Sequence, residues 1–355
     1  MKRKNSNVLK LKDFFIKDKK VKDIYSKFKQ VLSRYKKNNF FVASISGGPD
    51  SMALAALSKF AMHEKKYKIL FVLVDHNIRK NSHKEALKVR KLLKKNGSNL
   101  EILKNRKKIL SNIQKNARDI RYELLAKYCK TKKIKSILVA HHKDDQIETF
   151  LIRLFRGSGV EGLSSMSEIS KVKYGVSLIR PFLGFKKSEL EYISKTVFGK
   201  TIKDPSNKNK KFLRTNVREL KKSFEKKGID FNKIVKSISN ISSSREAINF
   251  YVNQSIKKSV KYKNKETILN LGHFIKEPKE VKFRIINSIV KKRSNSYYPP
   301  RSEKVLNLIK NLQNGNLKKC TLGRCIFEKK NNSLHVYKEF WYFLSFLRDS
   351  GKNFD

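Results

Sequence analysis

The strongest constraint on the fold is an apolar strand that runs through two adjacent glycines into a helix. Residues 40–54 read Phe-Phe-Val-Ala-Ser-Ile-Ser-Gly-Gly-Pro-Asp-Ser-Met-Ala-Leu. Gly47 and Gly48 allow a positive φ and a close approach of the backbone to a ligand, and Pro49 suits the first position of a helix. The free N–H groups of a first helical turn attract anions. The pattern therefore predicts an anion site, although two glycines alone fit an ordinary turn equally well.

Polar side chains around the glycine pair narrow down the kind of anion. Ser46 and Ser51 supply hydroxyl donors, and Asp50 can hold a magnesium ion against a phosphate. The string Ser-Gly-Gly-Pro-Asp-Ser resembles the pyrophosphate loop of ATPases that cleave ATP between its α and β phosphates. It lacks the lysine of the loop that binds γ-phosphates. The resemblance implies ATP and Mg²⁺ as cofactors, with the nucleotide bound by Ser46, Gly47, Gly48, Pro49, Asp50 and Ser51.

The sequence that follows alternates short apolar strands with amphipathic helices. The predicted strands are 40–45, 69–74, 100–103 and 136–140, and the helices between them are about 50–63, 82–96 and 112–130. This alternation is typical of an α/β fold with a doubly wound parallel sheet. Ligands in such sheets bind beyond the carboxyl ends of the strands.

Polar clusters follow three of the predicted strands. They are Ser46–Ser51 after the first strand, Asp75–Asn77 after the second and His141–Asp145 after the fourth. Because parallel strands end at the same edge of a sheet, we expect the three clusters to form a composite active site. Asp75 and His76 would then line the nucleotide cleft, although Asp and Asn at a strand end are also common turn formers.

The third cluster carries the most information. Residues 141–149 read His-His-Lys-Asp-Asp-Gln-Ile-Glu-Thr, so two histidines at a strand end run into two aspartates at a helix start. Asp144 is predicted to cap that helix, and Asp145 and Glu148, three residues apart, face one side of it. The residues alone fit a catalytic site, a buried structural network or a zinc site, although no further metal-ligand motif follows.

Basic residues dominate the composition. Lys and Arg number 84 against 30 acidic residues, which gives a formal net charge of +54. So large an excess favours a polyanion as partner, either nucleic acid or an anionic membrane surface, although a compositionally biased genome also produces many lysines. Arg118 and Arg121 lie three residues apart, hence on one helix face. Arginines at that spacing fit an ordinary solvated surface as well.

Cysteine usage and hydropathy indicate the compartment. The three cysteines, Cys129, Cys320 and Cys325, form no paired framework, which fits a reducing interior. No apolar run approaches the ~18 residues that would suggest a membrane span. The sequence therefore predicts a cytoplasmic protein without a membrane partner.

Taken together, the motifs resemble those of the tRNA(Ile)-lysidine synthase family, a branch of the pyrophosphate-loop ATPases. The run 141–166 is specific to that family, whereas the glycine loop would match the whole superfamily. One departure is Arg214-Thr215, where the family often has Arg-Asn. A weaker likeness follows around 300–303 and 321–325. The matching pieces are 46–51, 74–76, 117–122, 140–149, 153–163, 179–183, 204–207 and 214–218.

The resemblance implies a two-step reaction on a tRNA(Ile) with a CAU anticodon. ATP adenylates the C2 oxygen of the wobble cytidine and pyrophosphate leaves. The ε-amine of free L-lysine then attacks C2, which releases AMP and leaves lysidine. The fold implied is a sheet like that of the adenine nucleotide α-hydrolases, followed by a helical, basic region and a small C-terminal segment.

The resemblance also implies roles for individual residues. Magnesium would be held by Asp50 and Asp145, while Arg118 or Arg121 offsets charge on the transferring phosphoryl group. Asp145, Glu148 and His141 remain alternatives for the general base. Arg214 and Arg218 would bind the substrate side, either phosphate or the lysine carboxylate. The implied catalytic set is Asp50, Arg118, Arg121, His141, Asp145 and Glu148, and Asp75 and His76 join the nucleotide-binding set.

Four segments are expected along the chain. A basic leading helix occupies 1–39, the ATP pyrophosphatase domain 40–222, a helical tRNA-binding region 223–295 and a small C-terminal domain 296–355. The sequence leaves a homodimer open.

Two rival functions fit the sequence less well. The nearest is a pyrophosphate-loop enzyme that thiolates tRNA; such enzymes usually carry a Cys-x-x-Cys pair or a catalytic cysteine, whereas 40–220 holds only Cys129. The other is a non-catalytic RNA-binding protein, against which the intact loop and the run 141–149 both argue.

Overall fold

The computed structural model describes residues 14, 17–35, 39–64, 66–78, 81–107, 109, 111–199, 213–294 and 299–339. Contacts between residues divide the chain into two units, Met1–Ser242 and Ser243–Asp355. The motif at 204–207 lies outside the described residues.

The first unit is built on a six-stranded sheet with the order β3-β2-β1-β4-β6-β5. Every pairing is parallel except that of β5 with β6 at the edge. The strands are β1 (Phe40–Ile45), β2 (Lys68–Asp75), β3 (Leu100–Lys104), β4 (Ser136–Leu138), β5 (Ile169–Lys171) and β6 (Ser177–Ile179). The prediction of a doubly wound parallel sheet is therefore confirmed, with the fourth strand two residues shorter than expected.

The α-helices in the described part of the first unit are α1 (Lys19–Ser33), α2 (Pro49–His63), α3 (Ser82–Lys95), α4 (Ile113–Thr131), α5 (Lys143–Leu154), α6 (Val160–Leu163), α7 (Lys187–Phe198), α8 (Leu213–Lys226) and α9 (Phe231–Ser259), of which α9 continues into the second unit. Side chains of α1, α2, α3 and α7 pack in the core on one face of the sheet, and those of α4 pack in the core on the other. Side chains of β1 alternate between the two cores: Phe41 and Ala43 pack in one cluster and Val42 in the other. A strand buried on both faces reads as a continuous apolar run.

The predicted leading helix forms and joins the first core. Its apolar stripe, read from the sequence as Val21, Ile24, Tyr25, Phe28 and Val31, is buried along α1. Tyr25 donates a hydrogen bond to Glu64 Oε1 at 2.7 Å, at the end of α2. The 3.6-residue period of the stripe is what places these side chains on one face.

The second unit contains an antiparallel sheet, which the sequence did not predict. Its strand order is β7-β8-β11-β10-β9. Its remaining elements are β7 (Val260–Tyr262), β8 (Glu266–Asn270), α10 (Leu271–Phe274), α11 (Lys279–Ser294), α12 (Ser302–Gln313), β9 (Lys319–Leu322), β10 (Cys325–Lys330) and β11 (Ser333–Lys338). One face packs against α11 and α12 around Ile285, Leu308 and Phe327. Within the described part of the chain, no helix is both long and apolar enough to cross a membrane.

Candidate active site

The strand order fixes where a ligand can bind. After β3 the chain crosses to the other side of β1 and continues with β4, so the direction of winding reverses between β1 and β4. Loops that follow neighbouring strands on either side of such a reversal diverge and leave a crevice. The loops after β1 and β4 meet here, where Asp50 Oδ2 lies 3.6 Å from His142 Nε2. The expectation that these two clusters share one edge is confirmed.

The loop after β1 is held together by one hydroxyl group. Ser51 Oγ accepts hydrogen bonds from the backbone N–H groups of Ser46 and Gly47, both at 3.1 Å, and donates to the carbonyl of Gly48 at 3.0 Å. Gly47 has a φ of +88°, which an L side chain rarely adopts. The helix α2 begins at Pro49, as predicted. Ser51, predicted as a phosphate donor, here shapes the turn itself.

Asp50 has the properties of a ligand for a hard cation. Its Oδ1 is buried and has no hydrogen-bond partner among the described residues. Asp145 Oδ2 lies 3.5 Å from His142 Nε2, the same nitrogen that Asp50 approaches. The two carboxylates thus converge, and Mg²⁺ typically binds one or two carboxylates together with substrate phosphates.

Zinc fits the described residues poorly. Among them there is no group of three or more His, Cys, Asp or Glu side chains placed to hold a metal ion. A zinc ion takes three or four protein ligands. Asp50 and Asp145 therefore fit a magnesium ion shared with a nucleotide better than a zinc ion held by protein alone.

The start of α5 differs from the prediction in one respect. The N-cap is His142, whose backbone stays extended, and its N–H donates to Asp145 Oδ2 at 3.1 Å. The expectation that Asp144 caps this helix was therefore wrong. Asp144 instead accepts hydrogen bonds from Lys221 Nζ at 2.5 Å and from the backbone N–H of Lys187 at 3.2 Å. Its carboxylate therefore links α5 to α7 and α8 instead of accepting a hydrogen bond from the free N–H groups at the start of α5.

The pKa values of the two adjacent histidines are shifted in opposite directions because their neighbours differ. Burial opposes protonation of His142, but the carboxylates of Asp50, Asp145 and Asp144 outweigh it and raise the pKa of its imidazole. Burial holds the pKa of His141 well below its ordinary value, and nearby arginines add to the effect. These arginines are Arg118, Arg180, Arg214 and Arg121. A neutral imidazole thus lies beside a more basic one.

A charged interface joins α5 to α8. Arg214 donates through Nε to Glu148 Oε2 at 2.7 Å and through Nη2 to Asp145 Oδ1 at 3.1 Å. Arg218 donates through Nε to Glu148 Oε1 at 2.6 Å. The prediction that Asp145 and Glu148 share one helix face is confirmed, since both reach Arg214. Both carboxylate oxygens of Glu148, which is buried, are engaged, so any ligand of this group must share it with two guanidinium groups.

The helix α4 contributes the other side of the crevice. Arg121 lies 3.4 Å from His76 Nε2 through its Nε, and burial together with Arg121 lowers the pKa of His76 to about 4. Asp75 accepts from the backbone N–H of Asn77 at 3.0 Å and lies 3.1 Å from His83 Nδ1. His76 and Arg121 are thus brought together at the crevice, while Asp75 is engaged in its own turn.

Two residues of this site carried no role in the sequence interpretation. Arg180 is buried, donates through Nε to His141 Nδ1 at 3.3 Å and through Nη1 to the carbonyl of Ser167 at 2.7 Å. It follows β6, a three-residue strand too short to recognise by its pattern. Lys221 could have been found, because the 214–218–221 spacing places three basic residues on one helix face.

Comparison with known proteins agrees with this geometry. The family model described as a PP-loop domain matches residues 20–223. The tRNA(Ile)-lysidine synthase of Wolbachia pipientis wMel is 34% identical over 307 residues, which is 85% of this chain and 71% of that protein. The enzyme of the same name from Orientia tsutsugamushi is 31% identical over 321 residues, covering 86% and 71%.

Among solved structures, a U34-tRNA thiolase from Methanococcus maripaludis aligns with a TM-score of 0.54 at 18% identity. It covers 63% of this chain and 79% of the thiolase. A likeness at that identity supports the fold only. Burial raises the pKa of the Cys129 thiol to about 12, unlike that of a reactive cysteine. On the match to the PP-loop model and to these synthases, this chain is an enzyme that belongs to the tRNA(Ile)-lysidine synthase family.

Proposed function

We propose that this chain ligates free L-lysine to C2 of the wobble cytidine in a tRNA(Ile) with a CAU anticodon, through an adenylated tRNA and with release of pyrophosphate and AMP. One observation supports this most directly: the glycine loop and the acidic start of α5 meet through Asp50 and His142, 3.6 Å apart. A single nucleotide at the crevice can therefore contact both.

In the first half-reaction the C2 oxygen of the cytidine attacks the α-phosphorus of ATP and the bond to the β-phosphate breaks. Negative charge develops on the departing pyrophosphate, so donors that are already in place there stabilise the transition state. The first turn of α2 begins at Pro49 and presents its N–H groups and positive dipole end at the crevice.

Asp50 and Asp145 are the residues that would hold Mg²⁺, since both carboxylates approach His142 and Asp50 Oδ1 is buried with no hydrogen-bond partner in the part of the chain that the structure describes. The ion, when bound, offsets charge on the phosphates. Arg118 and Arg121 would act from α4 on the transferring phosphoryl group. His141, kept neutral by burial and its arginine neighbours, can accept a hydrogen bond but does not add positive charge.

In the second half-reaction the lysine ε-amine must lose a proton to attack, and AMP leaves as the C2–N bond forms. Asp145 and Glu148 are the carboxylates placed to orient this amine or to take up its proton. Arg214 and Arg218, which contact the two acids, are placed to bind the lysine carboxylate or a phosphate. A substrate ammonium group would compete with these arginines for the same carboxylate oxygens.

The tRNA is proposed to bind mainly through its phosphates, as the net charge of +54 favours. The segments at 223–295 and 296–355 would serve as the tRNA-binding and small C-terminal regions. Affinity for tRNA should then fall steeply with salt, because bound counterions are released on binding. An affinity that stays flat between low and moderate salt would mean that the charge forms no binding surface.

The decisive experiment incubates the purified chain with ATP, radiolabelled lysine and tRNA transcripts. We expect label in the tRNA(Ile) transcript with a CAU anticodon, with AMP formed in proportion, and none in transcripts with other anticodons. Incorporation that needs no ATP, or AMP formation without label in any tRNA, would contradict the proposed reaction. Removal of Mg²⁺ with a chelator should abolish the formation of both AMP and labelled tRNA.

A further inference from the structure

Three helices meet at the carboxylate of Asp144, behind the crevice. Lys221 of α8 donates to its Oδ1 at 2.5 Å, and the backbone N–H of Lys187, the first residue of α7, donates to its Oδ2 at 3.2 Å. Asp144 itself lies in the first turn of α5. None of the catalytic roles assigned above uses Lys221 or Asp144, so this junction requires its own explanation.

The ammonium group of Lys221 is held on several sides. Its side chain is only 14% exposed, and Nζ also lies 3.0 Å from Glu225 Oε1 and 5.4 Å from the centre of the Phe231 ring. Burial opposes its charge, but the carboxylates of Asp144 and Glu225 outweigh it and raise the pKa of Lys221. A lysine fixed in this way can set the position of the helix that carries it.

Apolar packing alone does not fix how α8 lies on α5. The cluster between them is formed by Ile147, Leu151, Val217 and Phe231, and such contacts are non-directional. Sliding a helix by one turn displaces its side chains by about 5.4 Å, which would separate Arg214 from Asp145 and Glu148. A directional bond at the far end of α8 prevents that displacement.

Three basic residues of α8 pair with three acids of α5. Arg214, Arg218 and Lys221 stand at i, i+4 and i+7, on one helix face. Arg214 reaches Asp145 and Glu148, Arg218 reaches Glu148, and Lys221 reaches Asp144. The two arginines contact the acids proposed to handle lysine, whereas Lys221 contacts an acid outside that pair.

We infer that Lys221 is a positioning residue, which holds α8 on Asp144 so that Arg214 and Arg218 meet the acids that handle the lysine substrate. The inference rests on the proposed function for the identity of that substrate. The inference predicts that a change at Lys221 affects the binding of lysine more than that of ATP. The glycine loop proposed to bind ATP is organised by Ser51 within its own turn and needs no contact with α8.

The test uses the full chain with Lys221→Met, Lys221→Arg and the control Lys222→Met, which alters the exposed neighbour on the same helix. A cavity of about 620 Å³ adjoins Lys221, so the longer arginine has room to reach Asp144. We expect Lys221→Met to raise the KM for lysine about tenfold and the KM for ATP less than about twofold, since small misplacements have large effects on the aligned group. Arginine should restore the lysine KM, and Lys222→Met should match the parent chain.

Hydrogen exchange of α8 amides supplies a readout besides activity. Lys221→Met should speed exchange near Arg214 and Arg218, and Lys221→Arg should reverse this. Equal increases in both KM values, a loss of kcat alone, or unchanged exchange and kinetics would each overturn the inference. If Lys221→Met does not fold, Lys221→Gln, which keeps a donor without the charge, is judged by the same criteria. If the parent chain ligates no lysine, the proposed function fails, while exchange still decides whether Lys221 seats α8.

Discussion

The glycine loop after β1 and the charged α5–α8 interface lie on the two sides of one crevice, yet they are built differently. The loop is a local structure: its bonds join Ser46, Gly47, Gly48 and Ser51, at most five positions apart. The interface is long-range, because Arg214 and Glu148 stand 66 positions apart and Lys221 and Asp144 stand 77 apart. The first uses backbone groups and a hydroxyl, the second opposite charges.

This difference suggests a division of labour. A loop made of backbone N–H groups can receive a phosphate without losing its own structure. An interface of ion pairs responds to a charged ligand by exchanging partners, because the ligand's ammonium and carboxylate compete with side chains of like charge. We therefore expect changes at the loop to affect ATP, and changes at the interface to affect both stability and the second substrate.

The substitution Asp145→Asn should have the largest effect, since this residue belongs to both sides of the comparison. It contacts His142 beside the loop and Arg214 across the interface. We expect AMP formation to fall by about 100-fold or more, the order seen when charge stabilisation at a transition state is lost, while tRNA binding survives. Release of AMP at the normal rate by the purified variant would exclude the proposed metal role.

Breaking the interface should destabilise the protein next most strongly. Glu148→Ala removes one carboxylate partner from each of two guanidinium groups, and loss of one member of a buried pair costs several kcal/mol. Since both arginines are about a third exposed, we expect about 2 kcal/mol. Glu191→Ala is the matched control, because its ion pair with Lys187 is exposed and should contribute less than about 0.5 kcal/mol. Urea unfolding measures the loss of unfolding free energy in both variants. Equal losses would mean that the α5–α8 interface contributes no more to stability than an exposed ion pair.

The local part of the site could be predicted from the sequence and the long-range part could not. A strand, two glycines and a proline in succession specify the loop because each residue constrains its neighbour's backbone. The local sequence around Lys221 or Asp144 does not predict that the two residues pair, because that contact depends on how α5 and α8 pack. The sequence signal for this contact is the spacing of the basic residues at 214, 218 and 221, which places them on one face of α8.

The same reasoning explains the errors in the fold. The strands β5 and β6 have three residues each, too few for an alternating pattern to emerge. The hairpin between β10 and β11 turns at Asn331, which has a φ of +51°, and Asn at such a position is a known hairpin signal. Because asparagine is frequent throughout this chain, one such residue does not distinguish this turn from other positions.

Lowering the pH should destabilise the protein through His76, which lies at the rim of the crevice. The pKa of His76 is lowered to about 4 by burial and Arg121, below the value of about 6.5 in an unfolded chain. The unfolded state therefore binds more protons between these values, so stability present at pH 7 is lost as pH falls from about 6.5 towards 4. We expect about 1 kcal/mol per pH unit after allowance for partial exposure.

The measurement compares the free energy of unfolding of the parent chain and His76→Gln at pH 7 and pH 5. His141 shifts in the same direction and affects both proteins alike, so the difference between them isolates His76. A variant as acid-sensitive as the parent chain would show that His76 is protonated in the folded state.

The smallest effect on stability should come from the glycine loop. Comparing substitutions at Gly47 and Gly48 distinguishes backbone strain from steric contact of the added Cβ. Gly47→Ala forces an L side chain into a φ of +88°, at a cost of about 1 kcal/mol or slightly more. Gly48 has a φ of −71°, and a Cβ there would meet Ser46 Oγ at an ordinary 3.8 Å, so Gly48→Ala should leave the unfolding free energy nearly unchanged. Since the hydrogen bonds within the loop involve no residue of α8, Gly47→Ala should raise the KM for ATP and leave that for lysine unaltered, the reverse of Lys221→Met. Two variants with the same substrate profile would mean that the crevice acts as one unit and that the contrast between its two sides is only structural.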